Sequence, residues 1–133
     1  MNTSYVFLAP GFEEVEALTV IDVMRRAGMD VKTVSITDSR TVAGAHGIAV
    51  TADVVYEKTD FITPEWLILP GGMPGATNLS QYAPLNTLLL NQANSGKIAA
   101  ICASPAVVLA PLGILDGKEA TCYPGFEKQM HGA

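Results

Sequence analysis

Lys97-Ile98-Ala99-Ala100-Ile101-Cys102-Ala103-Ser104-Pro105-Ala106-Val107-Val108-Leu109 is the stretch on which the fold turns. Ile98 to Ile101 has the length and composition of a buried strand. Pro105 suits the first turn of a helix, with Ser104 or Ala103 near its cap. Cys102 then lies on the turn between them, the geometry of a nucleophile elbow. Such a turn needs small residues two before and two after the nucleophile, because the two backbones pass close together. Ala100 and Ser104 occupy those places. A thiol at a helix N-terminus has its thiolate favoured by free N–H groups and by the helix dipole, so Cys102 is expected to be reactive. The same pattern also fits an ordinary buried cysteine, among the most buried residue types.

Outward from this stretch, strand and helix signals alternate. Tyr5 to Leu8 reads as a buried first strand, followed by a loop at Ala9-Pro10-Gly11-Phe12. Val15, Leu18, Ile21 and Met24 then recur at helical spacing up to Gly28. Glu13, Glu14 and Glu16 crowd the first turn, and Arg25 and Arg26 the last, as the helix dipole favours. Val31 to Ile36 is a second strand, and Thr41 to Thr51 a hairpin about Gly44-Ala45-His46-Gly47. Trp66 to Leu69 is a strand ending at Pro70-Gly71-Gly72, and Pro84 opens a helix that closes at Gly96. After the elbow helix, Glu119 to Cys122 reads as a last strand before Pro124-Gly125. This alternation predicts an α/β fold with a mainly parallel sheet covered on both faces.

The bulk numbers narrow the function. With 133 residues the chain is expected to form a single domain over 1–133. Hydrophobic residues make up 49% and charged residues 16%, so most elements are buried. A net charge of −5 without a basic run speaks against nucleic acid or an anionic membrane as partner. Ile98 to Leu115 is uncharged over the length of a short membrane span, but Pro105, Pro111 and Gly113 divide it into strand, turn and helix. Two cysteines are too few for a disulfide framework, and no CxxC or HExxH spacing occurs, so no metal site is expected. A reducing cytoplasm is the expected location, since a free thiol persists there.

In a parallel sheet, ligands collect beyond the carboxyl ends of the strands. Three loops leave such ends: Ala9 to Phe12, Pro70 to Gly75, and Cys102 to Pro105. They are expected to share one rim. Gly71 and Gly72 let the backbone turn sharply and let N–H groups approach a ligand, so an amide from this loop joins that of Ala103 as an oxyanion hole beside Cys102. A tight turn without a ligand is the plainer reading. Phosphate binding is disfavoured, because the loop lacks the lysine of a P-loop. Glu16 lies about 100–200° around the helix from Glu14 and can face this rim. An inward Glu16 has no Lys or Arg near it in sequence, so burial favours its protonated form, a donor to a thiolate. Glu13 and Glu14 read as solvated carboxylates, Cys122 as core, and His46 as a solvent-facing turn residue.

Four motifs bear a resemblance to a known family. Pro10-Gly11-Phe12-Glu13-Glu14-Val15-Glu16, Asp22-Val23-Met24-Arg25-Arg26-Ala27-Gly28, Leu69-Pro70-Gly71-Gly72 and Ala99-Ala100-Ile101-Cys102-Ala103-Ser104-Pro105 resemble, in order and spacing, the ThiJ/PfpI superfamily. The branch they resemble most is that of the human parkinsonism-associated protein and its bacterial relatives. The resemblance implies a flavodoxin-like three-layer sandwich of the class I glutamine amidotransferase-like type, and a homodimer. It implies that Cys102 is the reactive, oxidisable cysteine, that Glu16 is the protonated acid beside it, and that Gly72 and Ala103 supply the oxyanion amides. The activities it implies are a cofactor-independent glyoxalase, repair of early glycation adducts (a deglycase), and a redox-regulated chaperone of oxidative stress. Relatives of this kind continue with a further strand and closing helices, so the chain is expected to lack its C-terminal portion.

Two departures from the family pattern matter. Tyr123 stands where some relatives have a histidine, and a phenol is a poor general base near neutral pH, which weighs against a Cys–His dyad. Ala103 stands where the protease branch has histidine, which weighs against peptidase activity. The expected function is a cysteine-dependent enzyme acting on a small aldehyde or a glycated substrate, without cofactor. A redox sensor or chaperone is the alternative, and an amidotransferase-like hydrolase a weaker third.

Overall fold

The alternation along β1 (Ser4–Leu8) decides how the layers stack. Tyr5 and Phe7 join the apolar cluster on one face, while Val6 and Leu8 join the cluster on the other, and all four are buried. A strand apolar on both sides belongs in the middle of a sheet covered twice. The computed structural model, which describes residues 2–133, places it there.

After β1 come α1 (Glu14–Arg26), β2 (Val31–Ser35), the short strands β3 (Thr41–Ala43), β4 (Ala49–Thr51) and β5 (Val54–Val55), and then β6 (Trp66–Leu69). Helices α2 (Gly75–Ser80) and α3 (Ala83–Gln92), strand β7 (Lys97–Ala100) and a helical stretch from Pro105 follow. The main sheet runs β5-β2-β1-β6-β7, with every pairing parallel, and β3 and β4 form a separate antiparallel hairpin. Ala17 and Ile21 of α1 pack with Val42 of the hairpin on the Val6 and Leu8 face. Leu79, Leu85 and Leu89 of α2 and α3, with Val108 and Leu109 beyond the elbow, cover the Tyr5 and Phe7 face. Burying each such leucine or phenylalanine stabilises the fold by roughly 1.5–3 kcal/mol.

The expected three-layer α/β architecture is therefore present. From β1 the chain crosses by α1 to β2 on one side, and it later returns to β6 on the other side of β1. That reversal opens a crevice at the carboxyl ends of β1 and β6, where sheets of this kind bind ligands. Among the described residues no helix is long and apolar enough to cross a membrane.

Two sequence expectations are corrected, and one helix is new. Glu119 to Cys122 forms no strand: the segment runs irregularly, held at its end by the Tyr123 amide donating to the Cys102 carbonyl at 2.8 Å. Its alternation is that of a strand, but it has no ladder partner. The elbow helix is not a plain α-helix, since Pro105–Leu109 is π-helical and Ala110–Leu112 is 3-10 before Gly113 turns the chain in the left-handed region. Proline at 111 removes an N–H group that a regular ladder would use, whereas Pro105 at the first position removes none. Helix α2 escaped the sequence reading because GATNLS is short and carries little apolar periodicity.

Candidate active site

The register of β6 against β7 builds the site. Leu69 lies opposite Ala100, and the Ile101 amide donates to the Leu69 carbonyl at 3.2 Å. The two strands therefore release their next residues side by side: Pro70-Gly71-Gly72 from one and Cys102 from the other. The Ser104 hydroxyl, fully buried, donates to the Pro70 carbonyl at 2.6 Å and ties the two turns together. The loop after β1 closes the same rim, because the Glu13 amide donates to the Gly71 carbonyl at 2.9 Å and that of Gly75 to Gly11 at 3.2 Å. All three loops expected at one rim are there.

Cys102 has φ +64°, left-handed backbone that an L-residue with a side chain adopts only at a cost of about 1–2 kcal/mol. This is the strained elbow that the sequence suggested. It holds the sulfur out from the sheet, half-buried, at the junction of two clefts. One of about 360 Å³ is lined by Glu16, Ile101, Cys102, Cys122 and Tyr123, and another of about 210 Å³ by Glu13, Gly72, Cys102 and Tyr123 among others. Tyr123 is exposed and stands at the mouth of both.

Glu16 faces this point from α1. Its Oε1 accepts the Gly71 amide at 2.8 Å, and its carboxyl lies close enough to Cys102 to push the thiol up. The Gly72 and Ala103 amides lie near enough to the sulfur to pull the thiol back down in part. Glycine is required in the bend: a Cβ on Gly71 would meet the Cys102 Cβ at 2.6 Å and Glu16 Oε1 at 2.8 Å. Gly72 sits at φ +91°, where a Cβ would strike the Glu13 amide nitrogen.

The structure thus brings Cys102, Glu16, Gly71, Gly72 and Ala103 together, with two corrections. The Gly71 amide is already taken by Glu16, so it positions that carboxyl and is not free for an oxyanion; Gly72 and Ala103 remain. The thiol is also not held low as a helix terminus would hold it. Burial pushes Cys102 up, the neighbouring Glu16 carboxylate pushes it further, and the two amides offset only part of this. The elbow helix begins beyond a left-handed residue and is π-helical, so the sulfur receives two amides instead of an aligned α-helical dipole.

Two more expectations change. Glu14 is not solvated: its side chain is only 5% exposed, and it accepts the His46 amide at 2.8 Å, the Ile48 amide at 3.3 Å and His46 Nδ1 at 2.9 Å. Burial alone would raise Glu14, but these bonds dominate and hold it at about 2. His46, its ring exposed as expected, is pushed up by the Glu14 bond and by the charge of Glu13. Sequence offered one overlooked clue, since Gly44 leaves no room for a Cβ against the Glu14 carboxylate. Cys122, read as core, is half-buried and lines the larger cleft.

A flavodoxin-like α/β sandwich with a cysteine at a strained elbow, a carboxyl against its sulfur and two main-chain amides around it defines a recognisable class. The DJ-1/PfpI family model matches residues 3–133, and the chain belongs to that family. It is 38% identical over 124 residues to DJ-1 homolog B of Arabidopsis thaliana, covering 92% of this chain but 28% of that protein. The chain thus spans less than a third of the length of that relative. It is 30% identical over 124 residues to a deglycase of Pyrococcus horikoshii, covering 92% of this chain and 72% of the relative. The oxidised DJ-1 structure from Toxoplasma gondii superposes with a TM-score of 0.93 at 41% identity, over 97% of this chain and 71% of that one.

Proposed function

We propose that the protein is a cysteine-dependent enzyme acting on small reactive carbonyls, of the glyoxalase or deglycase type and without cofactor. The observation that carries the reading is the Cys102 sulfur, set on a left-handed elbow between two main-chain amides and the Glu16 carboxyl. The Cys102 sulfur adds to an aldehyde carbon while its proton passes to Glu16. The carbonyl oxygen becomes an alkoxide held by the Gly72 and Ala103 amides, and Glu16 returns the proton to give a hemithioacetal. Burial, the larger cause, pushes the thiol up whatever the state of Glu16, and the charge on Glu16 adds to it. Once the single proton of the pair sits on the carboxyl, that repulsion ends and the amides hold the thiolate.

Further rearrangement of an α-oxoaldehyde adduct needs a base to move the carbon-bound proton. Tyr123 is a poor one, so Glu16 is the candidate for both transfers. Support for the deglycase side comes from the relative that bears that name. Turnover of methylglyoxal without glutathione, in wild type against Cys102→Ser, is the test. Loss of all turnover in the variant supports the reading, and equal inertness of both proteins overturns it.

A second reading is favoured by the likeness to an oxidised DJ-1 structure: Cys102 serves as an oxidisable sensor, or as the switch of an oxidative-stress chaperone. Both readings use the same sulfur. A homodimer goes with either, since Val15, Leu18 and Val23 on α1 and Ile48 on the hairpin are large apolar side chains left exposed. A reducing compartment such as the cytoplasm suits the two free thiols.

A further inference from the structure

The family motifs account for Cys102 but leave the second cysteine unused. Cys122 and Cys102 are both free, both half-buried, and both line the same cleft of about 360 Å³. The Tyr123 amide bonded to the Cys102 carbonyl at 2.8 Å fixes how far apart they can be. Through that bond the Cα atoms of residues 102 and 122 lie no more than roughly 7.5 Å apart, and a disulfide spans about 4.4–6.8 Å. Closing the difference breaks no sheet ladder, because residues 119–122 belong to none. A cysteine beside an oxidisable one is the arrangement in which a sulfenic acid condenses to a disulfide before it is oxidised further.

We propose that Cys122 is the resolving cysteine of a reversible thiol switch, in which a hydroperoxide oxidises Cys102 and the two sulfurs then join within one chain. The proposal rests on the nucleophilic Cys102 of the proposed function, but on no carbonyl chemistry. In the first step the Cys102 sulfur attacks the peroxide, the O–O bond breaks, and one oxygen joins sulfur as a sulfenic acid. The other oxygen leaves as water or an alcohol, so sulfur loses two electrons and the hydroperoxide gains them. In the second step the Cys122 sulfur attacks that sulfur. The S–O bond breaks, and the departing hydroxide takes the Cys122 proton to leave as water. Two equivalents of a small thiol restore both cysteines.

This role gives Cys122 a competitive task. Attack from within the cleft is unimolecular, whereas oxidation to sulfinate needs a second peroxide molecule, so the disulfide forms first at low peroxide. The test is two equivalents of hydrogen peroxide on the reduced protein, followed by thiol blocking, peptide mass spectrometry and a non-reducing gel. Wild type, Cys122→Ser and Cys122→Ala are compared. Wild type is expected to lose two hydrogens, with the Cys102 and Cys122 peptides joined in a monomer and separated again by dithiothreitol. Both variants are expected to carry the two-oxygen form of Cys102 in about tenfold greater yield, resistant to dithiothreitol. Equal yields of that form in all three proteins, or linkage only between chains, overturn the proposal. Iodoacetamide labelling separates the failures. Cys102 that alkylates but never joins Cys122 sinks the switch alone, while Cys102 inert to both reagents sinks the proposed function with it.

Discussion

Glu14 and Glu16 stand two residues apart on the first turn of α1, with the same side chain and the same helix dipole, and the fold uses them in opposite ways. Glu14 faces the β3–β4 hairpin and is surrounded by donors: two main-chain amides and an imidazole. Glu16 faces the elbow, where one amide holds it and a thiol is its other partner. The difference teaches that donor count separates a structural carboxylate from a chemical one. A carboxylate held by several N–H donors stays charged across ordinary pH, while one set against a second acid can trade its proton.

The sharpest way to break that contrast is to neutralise each partner in turn. Glu16→Gln removes the proton acceptor of the proposed reaction, so turnover of a reactive carbonyl, if that proposal holds, is expected to fall by about 10²–10⁴-fold. It also removes the negative charge that pushes the thiol up, so the pH profile of Cys102 alkylation by iodoacetamide is expected to move toward acid. A variant that alkylates more readily at neutral pH yet turns over less separates proton transfer from thiol activation. A pH profile of alkylation unchanged from wild type would mean that Glu16 does not act on the sulfur.

The next largest effect falls on the bend between them. Gly71→Ala drives a Cβ into the Cys102 Cβ and Glu16 Oε1 together, an overpacking expected to destabilise the protein by about 1–3 kcal/mol in urea unfolding. Turnover should fall with it, because the amide that aims Glu16 is displaced. A smaller effect tests the elbow. Cys102→Gly is expected to be more stable than Cys102→Ala by about 1 kcal/mol, since glycine adopts φ +64° without penalty. The order of the two variants in denaturant midpoint decides it.

How much of this was legible in sequence follows the range of each interaction. β1, α1, β2, β6 and the hairpin were legible because local periodicity and turn residues specify them within a few positions. The elbow was legible because its small flanking residues and Pro105 are contiguous with Cys102. The Glu119 to Cys122 segment misled because alternation describes a strand but not whether a neighbour exists to pair with it. Glu14 was misread for a related reason: its partners lie 32 and 34 residues away, and two of the three are main-chain amides that carry no residue identity. The upward shift of Cys102 was hidden likewise, since it depends on Glu16 arriving from another element.

The smallest effect is the converse substitution. Glu14→Gln leaves the elbow untouched, so turnover should stay within about twofold of wild type while the hairpin loosens. Glu14 is held at about 2 against an ordinary 4.5, so its tether is present above about pH 4.5 and is lost as pH falls through about 2. His46 is raised above its ordinary 6.5, so its share is complete below that pH and is lost as pH rises through its elevated native value. Between about pH 4.5 and 6.5 both act together, and the protection of the His46 and Ile48 amides, their exchange relative to an unstructured peptide at the same pH, should be greatest there. In Glu14→Gln that optimum should flatten, because neither partner then changes charge against a carboxylate. An optimum that survives the substitution would show that other contacts hold the hairpin, and the contrast between the two glutamates would then rest on Glu16 alone.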